Sequence, residues 1–232
     1  MQPRRGMVAV AGLYLAAALA YAVVAPPLEG FDALAYFKYA GYLHRTHQLP
    51  VVTTEMVEES YEAVVQPPLY FAAVALATAA LPMQQTVAYA QASDNPYHDK
   101  SLSLRQTITL PTMARDVRTT FWVARLVSIL GGLVTVLGAY ALVRTLLPDS
   151  PWLAVAVAAI TGLNPQFLFT SVTITNDAWV PAVSVVTLWL LARATTRPKT
   201  RAQDWLLAGC CAGLAALTKY SCLLLALPAL VL

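Results

Sequence analysis

Five apolar stretches dominate the chain, and a lipid bilayer leaves such stretches few ways to fold. They lie at residues 7–25, 121–147, 152–169, 179–192 and 205–232. A helix of about 20 apolar residues spans the hydrocarbon core of a bilayer. In that core every backbone N–H and C=O group must find its hydrogen bond within the protein, which favours helices. The pattern therefore predicts an all-α fold, a polytopic transmembrane helical bundle.

The composition agrees with a membrane protein and excludes several other classes. The chain is 58% hydrophobic and 12% charged, whereas ordinary soluble domains are about 25% charged. The net charge of +3 gives no indication of a nucleic-acid partner. All three cysteines, Cys210, Cys211 and Cys222, lie inside the last apolar stretch, so neither a disulfide framework nor a zinc site is indicated.

Two of the apolar stretches allow more than one interpretation. Residues 7–25 follow Arg4 and Arg5 and end in small residues, which also fits a cleaved signal peptide. The apolar part is longer than the core of such peptides, so we favour an uncleaved first span. Residues 205–232 are interrupted around Lys219 and form either one tilted helix or two short helices that turn there. The turn is favoured because it keeps the lysine near the membrane surface.

The basic residues predict the orientation of the bundle. An N-terminus in the cytoplasm puts nearly all basic residues of the short connections on that side, as the positive-inside rule requires. Residues 1–232 then form a single integral membrane domain, and residues 26–119 form an extracytoplasmic loop with juxtamembrane helices between the first and second spans. The apolar segment 67–81 within this loop is predicted to be a juxtamembrane or re-entrant helix. As a full span it would move the basic stretch 193–201 outside.

In this orientation, a set of polar residues that interrupt or flank the apolar stretches falls on the outer side. Ionisable groups at membrane depth are costly and are usually paired, buried in protein or exposed to a water-filled cavity. We therefore expect a site at the outer membrane face. Its candidate residues are Asp32, Glu62, Gln66, Arg125, Asn176, Asp177 and Lys219.

Two of these candidates also have purely structural interpretations. Asp32 precedes a short amphipathic helix and suits the N-cap position, where a carboxylate accepts backbone N–H bonds. The same placement would fix a general base at the interface, so the two roles are compatible. Glu62 belongs to a cluster with Glu58 and Glu59 that also fits a solvated face. Pro67 and Pro68 after Gln66 are explained by a helix start.

Several short motifs, in order, carry a resemblance to a known family. They are residues 31–32 with the helix that follows, 66–71 (Gln-Pro-Pro-Leu-Tyr-Phe), 124–132, 163–167, 175–178 and 217–221. Together they resemble the N-terminal part of GT-C-type integral membrane glycosyltransferases. The nearest group is glycosyltransferase family 39 with its bacterial relatives, which include protein O-mannosyltransferases and the aminoarabinose transferase of lipid A.

The resemblance implies a reaction and roles for the residues. Such enzymes move a sugar from a polyprenyl-phosphate carrier to a lipid, glycan or protein acceptor at the extracytoplasmic face, here of a bacterial inner membrane. Asp32 matches the catalytic aspartate. The leaving phosphate needs cationic stabilisation, for which Arg125 and Lys219 are the candidates. The predicted substrate pocket comprises Glu62, Gln66, Tyr70, Asn176 and Asp177.

The sequence also departs from the family pattern and leaves other functions open. Ala33 and Tyr36 stand where many relatives have an acidic residue and a histidine. The gap of two residues between His44 and His47 is poor evidence for a metal site, so no cofactor is assigned. Dependence on a divalent cation stays an open possibility. The chain ends within an apolar stretch, which leads us to expect a fragment of a longer enzyme. A secondary transporter and a catalytically inactive membrane assembly protein are the alternative functions.

Overall fold

The computed structural model describes residues 2–30, 32–51, 53, 61–93, 113–197 and 201–225. Every regular element within these ranges is helical. The α-helices are α1 Pro3–Val24, α2 Ala33–Thr46, α3 Leu69–Ala77, α4 Met83–Ala92, α5 Arg115–Leu146, α6 Pro151–Gly162, α7 Pro165–Val172, α8 Val180–Thr196 and α9 Ala202–Ala216. Short 3-10 helices occupy Tyr61–Val65, Asn176–Ala178 and Tyr220–Leu225.

Three helical segments are long and apolar enough to cross a membrane. They are Pro3–Val24, Arg115–Leu146 and Asn176–Thr196, and the bent pair α6–α7 makes a fourth if it counts as one span. The predicted all-α helical membrane fold is therefore confirmed. The third predicted span, residues 152–169, is not straight, because α6 and α7 meet at 61°. Asn164 starts the second half by accepting hydrogen bonds from the backbone N–H groups of Gln166 and Phe167.

The interruption at Lys219 is also a break in helical structure. Helix α9 ends at Ala216, and a 3-10 helix begins at Tyr220. The described residues thus contain the predicted break, while the reversal of the chain at this position stays a prediction. The rest of the last apolar stretch, residues 226–232, lies outside them.

Cross-helix hydrogen bonds give the directions of the spans. Helix α1 runs antiparallel to α5, because Tyr14 donates to the carbonyl of Ile129 at 3.0 Å and Ala22 lies beside Arg125. Gly132 leaves room for this side chain, because an added Cβ would meet the hydroxyl oxygen of Tyr14. Small residues at such contacts are typical of membrane helix packing.

Helix α8 runs parallel to α5, and the short connections therefore alternate between two ends of the bundle. The indole of Trp179 donates to Val127 near one end, and that of Trp189 donates to Thr145 near the other. The basic end includes Arg193 and Arg197, which both bind Asp204, at 3.5 and 3.1 Å. The predicted separation of basic and motif residues is therefore present, while the membrane side that each end faces stays a prediction.

The apolar segment at 67–81 contributes only the nine residues of α3. At 1.5 Å per residue this helix is about 14 Å long, which is less than half of the roughly 30 Å hydrocarbon core. It packs on α2, where the ring of Phe71 lies 4.5 Å from that of Tyr39 and 5.4 Å from that of Tyr36. These dimensions agree with a juxtamembrane or re-entrant helix.

Candidate functional site

Asp32 directly precedes α2, as the sequence predicts, but its side chain does not cap the helix. Its backbone lies in the left-handed region, with φ 57° and ψ 6°, which aspartate tolerates better than most residues. Its carbonyl oxygen accepts the N–H of Tyr36 at 2.9 Å. Within the described residues its half-buried carboxylate makes no hydrogen bond or ion pair. The helix start thus fixes the backbone of Asp32 and leaves the carboxylate available.

The motif at residues 66–71 joins the juxtamembrane helices to the bundle. Pro68 occupies the N-cap of α3, and the backbone N–H of Leu69 donates to the carbonyl of Leu217 at 2.9 Å. The side-chain oxygen of Gln66 is buried and has no hydrogen-bond partner in the described part of the chain. Glu62 lies in the preceding 3-10 helix, and its side chain is outside the described part. The motif thus brings Gln66 close to the turn that carries Lys219.

Tyr70 is fully enclosed at the junction of α3, α5 and α8. Its hydroxyl shares a 2.7 Å hydrogen bond with that of Ser128, and its ring meets the indole of Trp179 edge to face at 5.8 Å. Burial raises the pKa of Tyr70, so the phenol remains neutral across the physiological range. In this structure Tyr70 connects helices rather than facing an open pocket.

Asn176 and Asp177 form a pair of contacts with the turn after α9. Asn176 is completely buried and donates from its side-chain amide to the carbonyl of Thr218 at 3.1 Å. The carboxylate of Asp177 receives the ammonium of Lys219 at 2.5 Å. Both charged side chains are partly exposed, at 47% for Asp177 and 28% for Lys219. Two polar segments 42 residues apart in sequence are thus joined at the motif end.

Arg125 lies nearby but is entirely buried between α1 and α5. Its guanidinium donates to the carbonyls of Ala22, Ala25 and Pro26 at 2.5, 2.8 and 2.6 Å. Its Nε–H is also buried, without a partner in the described residues. The two terminal nitrogens are therefore committed to backbone oxygens, and phosphate binding by Arg125 stays an untested prediction that these contacts do not favour.

Several further residues contribute to the site although none of them is among its predicted residues. The hydroxyl of Thr175 accepts the N–H of Asp177 at 3.2 Å, and Thr173 packs against Gly30 just before Asp32. Thr218 and Leu217 contribute through backbone carbonyls, which any residue type offers. Thr175 before Asn176–Asp177 has the spacing of a capped helix start and could have been identified from sequence; the other contacts depend on tertiary packing.

His44 and His47 lie at the C-terminal end of α2. The Nε2 atom of His44 is 3.2 Å from the carbonyl oxygen of Thr78, and His47 ends α2 with a left-handed backbone. Within the described ranges, no three His, Cys, Asp or Glu side chains lie close enough to hold a metal ion. These side chains therefore give no support for a divalent-cation site.

The architecture is that of a helical membrane protein whose polar motifs lie together at one end of the bundle. Residues 108–232, more than half of the chain, match the family described as dolichyl-phosphate-mannose-protein mannosyltransferase. The chain belongs to that family, and so to the membrane glycosyltransferases of the GT-C kind. No curated protein and no solved structure matches the chain. The matched region contains Arg125, Asn176, Asp177 and Lys219, whereas Asp32 and Gln66 precede it.

Proposed function

We propose that this protein transfers a sugar from a polyprenyl-phosphate carrier to a lipid, glycan or protein acceptor on the extracytoplasmic face of a bacterial inner membrane. The observation that supports this function most directly is that separate polar motifs lie together at one end of the bundle, around the Asp177–Lys219 ion pair. Membership in a glycosyltransferase family supports the reaction class. The membrane fold suits a donor whose tail stays in lipid while its head group reacts at the surface.

In this mechanism Asp32 acts on the acceptor. As an acceptor oxygen bonds to the anomeric carbon of the sugar, the bond from that carbon to the phosphate oxygen breaks, and the acceptor proton passes to the carboxylate of Asp32. A correctly placed general base contributes about 10²–10⁴-fold to such a step. The absence of a capping bond to this carboxylate supports the role, because an acceptor hydroxyl does not have to displace one.

Lys219 acts on the leaving group. The departing polyprenyl phosphate gains negative charge, and a fixed cation that meets this charge lowers the barrier. An ammonium carries three donors, so Lys219 can remain bonded to Asp177 while another N–H reaches a phosphate oxygen. Asn176 supports this arrangement by holding the carbonyl of Thr218, the residue before the lysine.

An apolar groove beside this ion pair fits the carrier's tail. The groove has a volume of about 270 Å³ and lies between α5, α8 and α9. It begins at Trp179, two residues after Asp177, and continues along Val183 and Val186 of α8. An isoprenoid chain in this groove would place its phosphate at the end where Lys219 lies, which is why we assign the groove to the donor tail rather than to an ordinary acyl chain.

The decisive experiment presents membranes containing the full chain with a panel of radiolabelled polyprenyl-phosphate sugars. We expect the label to pass to a lipid, glycan or protein fraction. Asp32→Asn should lower transfer about 10²–10⁴-fold but leave membrane insertion unchanged, since asparagine also tolerates the left-handed backbone. Flux of a solute into vesicles without sugar transfer would instead identify a transporter. Equal behaviour of the Asp32→Asn variant and the wild type would remove Asp32 from the mechanism.

A further inference from the structure

Arg125 has a structural setting that the proposed chemistry does not use. It is a completely buried cation on α5, and each hydrogen bond described for its guanidinium goes to the neutral backbone at the end of α1. A helix leaves its last four carbonyl groups without intrahelical partners. A buried carbonyl that finds no donor is costly, because it has lost its hydrogen bonds to water. Arg125 therefore satisfies one carbonyl in the last turn of α1, that of Ala22, and those of Ala25 and Pro26 just beyond it.

The planar shape of the guanidinium is what allows one side chain to hold this segment. One terminal nitrogen donates to the carbonyl of Ala22, and the other donates to those of Ala25 and Pro26. The acceptors thus include both the last turn of α1 and the chain that leaves it. A lysine ammonium is a single point with three donors, so it cannot bridge the same two positions from one side.

The chain held by Arg125 leads directly to Asp32. Leu28 is fully buried, and Gly30 lies so close to Thr173 that an added Cβ would be 3.0 Å from its side chain. Asp32 follows in its left-handed conformation and starts α2. Residues 26–30 are therefore held at one end by Arg125 and packed at the other end against Thr173, three residues before Asn176.

We propose that Arg125 is a positioning residue for Asp32, which it places by fixing the end of α1 through the carbonyls of Ala22, Ala25 and Pro26. This inference rests on the proposed function, because it assigns Arg125 to the general base rather than to the donor phosphate. It makes a distinct kinetic prediction. Loss of a positioning residue lowers kcat at unchanged donor KM, whereas loss of a phosphate ligand also weakens donor binding.

The test uses Arg125→Lys in the full chain, which keeps the charge and removes the planar fork. We expect kcat to fall at least about tenfold, within the roughly 10²–10⁴-fold contribution of a placed base, while donor KM stays within about twofold of the wild type. Amide hydrogen exchange should rise in residues 27–36 but not in α9. A donor KM that rises as much as kcat falls, with exchange unchanged, would show a phosphate ligand and overturn the proposal.

Combination with Asp32→Asn separates positioning from a general loss of structure. If Arg125 acts through Asp32, the double variant should be no slower than Asp32→Asn alone. If the rate reductions of the two single variants multiply in the double variant, Arg125 and Asp32 act independently and the inference is wrong. Transfer by Asp32→Asn at the wild-type rate would instead contradict the proposed function, while the exchange measurement would still report whether Arg125 holds residues 27–36.

A second variant reaches the same segment without altering Arg125. Gly30→Ala adds a methyl group against Thr173 and shifts the chain from the opposite side. It should reproduce the fall in kcat at constant donor KM, with the same local rise in hydrogen exchange. If Gly30→Ala leaves kcat unchanged, the placement of Asp32 does not depend on this segment, and the proposal is wrong. Because Gly30→Ala leaves the side chain of Arg125 and its backbone acceptors unchanged, it remains informative should Arg125→Lys fail to fold.

Discussion

Lys219 shows how one residue can be held ready for a charged ligand without being neutralised. Its ammonium contacts Asp177 at 2.5 Å, yet both side chains keep contact with solvent. Surface ion pairs of this kind contribute about 0–1 kcal/mol to stability, so the pair's main effect is to fix where the cation stands. An arriving phosphate would find the lysine already in place rather than having to order a flexible side chain.

Replacement of Lys219 should therefore impair donor binding more than folding. We expect Lys219→Gln to raise the donor KM about tenfold, because a hydrogen bond to a charged group is worth about 1.5–3 kcal/mol. The melting temperature should stay close to that of the wild type. Steady-state kinetics with a labelled polyprenyl-phosphate sugar measure the first quantity. Arg45→Gln, an exposed charge removal at the far end of α2, is the matched control and should leave the donor KM unchanged.

Tyr39 gives the fold a predictable sensitivity to alkali. Burial against α3, with smaller contributions from Tyr220 and Tyr42, raises the pKa of Tyr39 to about 12. Between pH 10 and 12 the unfolded chain would release a proton that the folded chain retains, so stability is present below pH 10 and declines as pH rises. Tyr39→Phe should reduce that decline by about 1–2 kcal/mol. Melting temperatures at pH 8 and 11.5 check this, and parallel declines in variant and wild type would contradict it.

Among the helices, the groove between α5, α8 and α9 makes the donor tail testable. Val183→Trp would fill part of the 270 Å³ that we assign to the isoprenoid chain. We expect the KM for a long-chain donor to rise about tenfold, the order expected for losing the burial of two or more methylene groups. The KM for a donor with only two isoprene units should change little.

The control for this variant places the same side chain on the outside of the bundle. Ile160→Trp adds an indole on α6 at a position that is 74% exposed, and it should affect neither donor. Equal changes for the long and short donors with Val183→Trp would show that the groove does not hold the tail. An equal effect of Ile160→Trp would show that the indole disturbs the membrane protein generally.

Helix positions could be predicted from sequence far better than helix shape and contacts. The apolar stretches predict the positions of the spans, because the thickness of the hydrocarbon core sets the length of a spanning helix. The 61° bend between α6 and α7 falls at Asn164–Pro165, a helix-start signal that was present but was treated as part of one span. The backbone acceptors of Arg125 could not be predicted, because every residue carries a carbonyl and only the fold decides which ones lie within reach.

In the site, too, the sequence pattern predicts which residues are involved, whereas their contacts depend on tertiary packing. Asn176, Asp177 and Lys219 are predicted because polar groups in apolar stretches are costly. In the structure Asp177 pairs with Lys219, and the side-chain amide of Asn176 donates to the carbonyl of Thr218. Tyr70 was assigned to a substrate pocket by resemblance alone, and the structure encloses it completely. Enclosure depends on α8, which lies more than 100 residues further along the chain, so no local pattern could reveal it.

At the scale of the whole molecule, the arrangement of the two ends determines what the site can reach. Helix α5 has 32 residues and a length of about 48 Å at 1.5 Å per residue, more than the roughly 30 Å of hydrocarbon. It must therefore tilt or project from the membrane. The motif residues lie towards its N-terminal end and the basic connections towards its C-terminal end, so one membrane face receives the whole candidate site.

Cysteine labelling in intact cells tests which face this is. In a chain with Cys210, Cys211 and Cys222 replaced by alanine, Gln48→Cys after α2 should react with a membrane-impermeant maleimide added outside. Asp149→Cys, in the exposed connection between α5 and α6, should react only after the membrane is permeabilised. The expectation follows from the positive-inside rule, by which the connections that carry Arg144, Arg193 and Arg197 should lie in the cytoplasm. Reaction of Asp149→Cys in intact cells, with protection of Gln48→Cys, would place the site in the cytoplasm, where an extracytoplasmic acceptor cannot reach it.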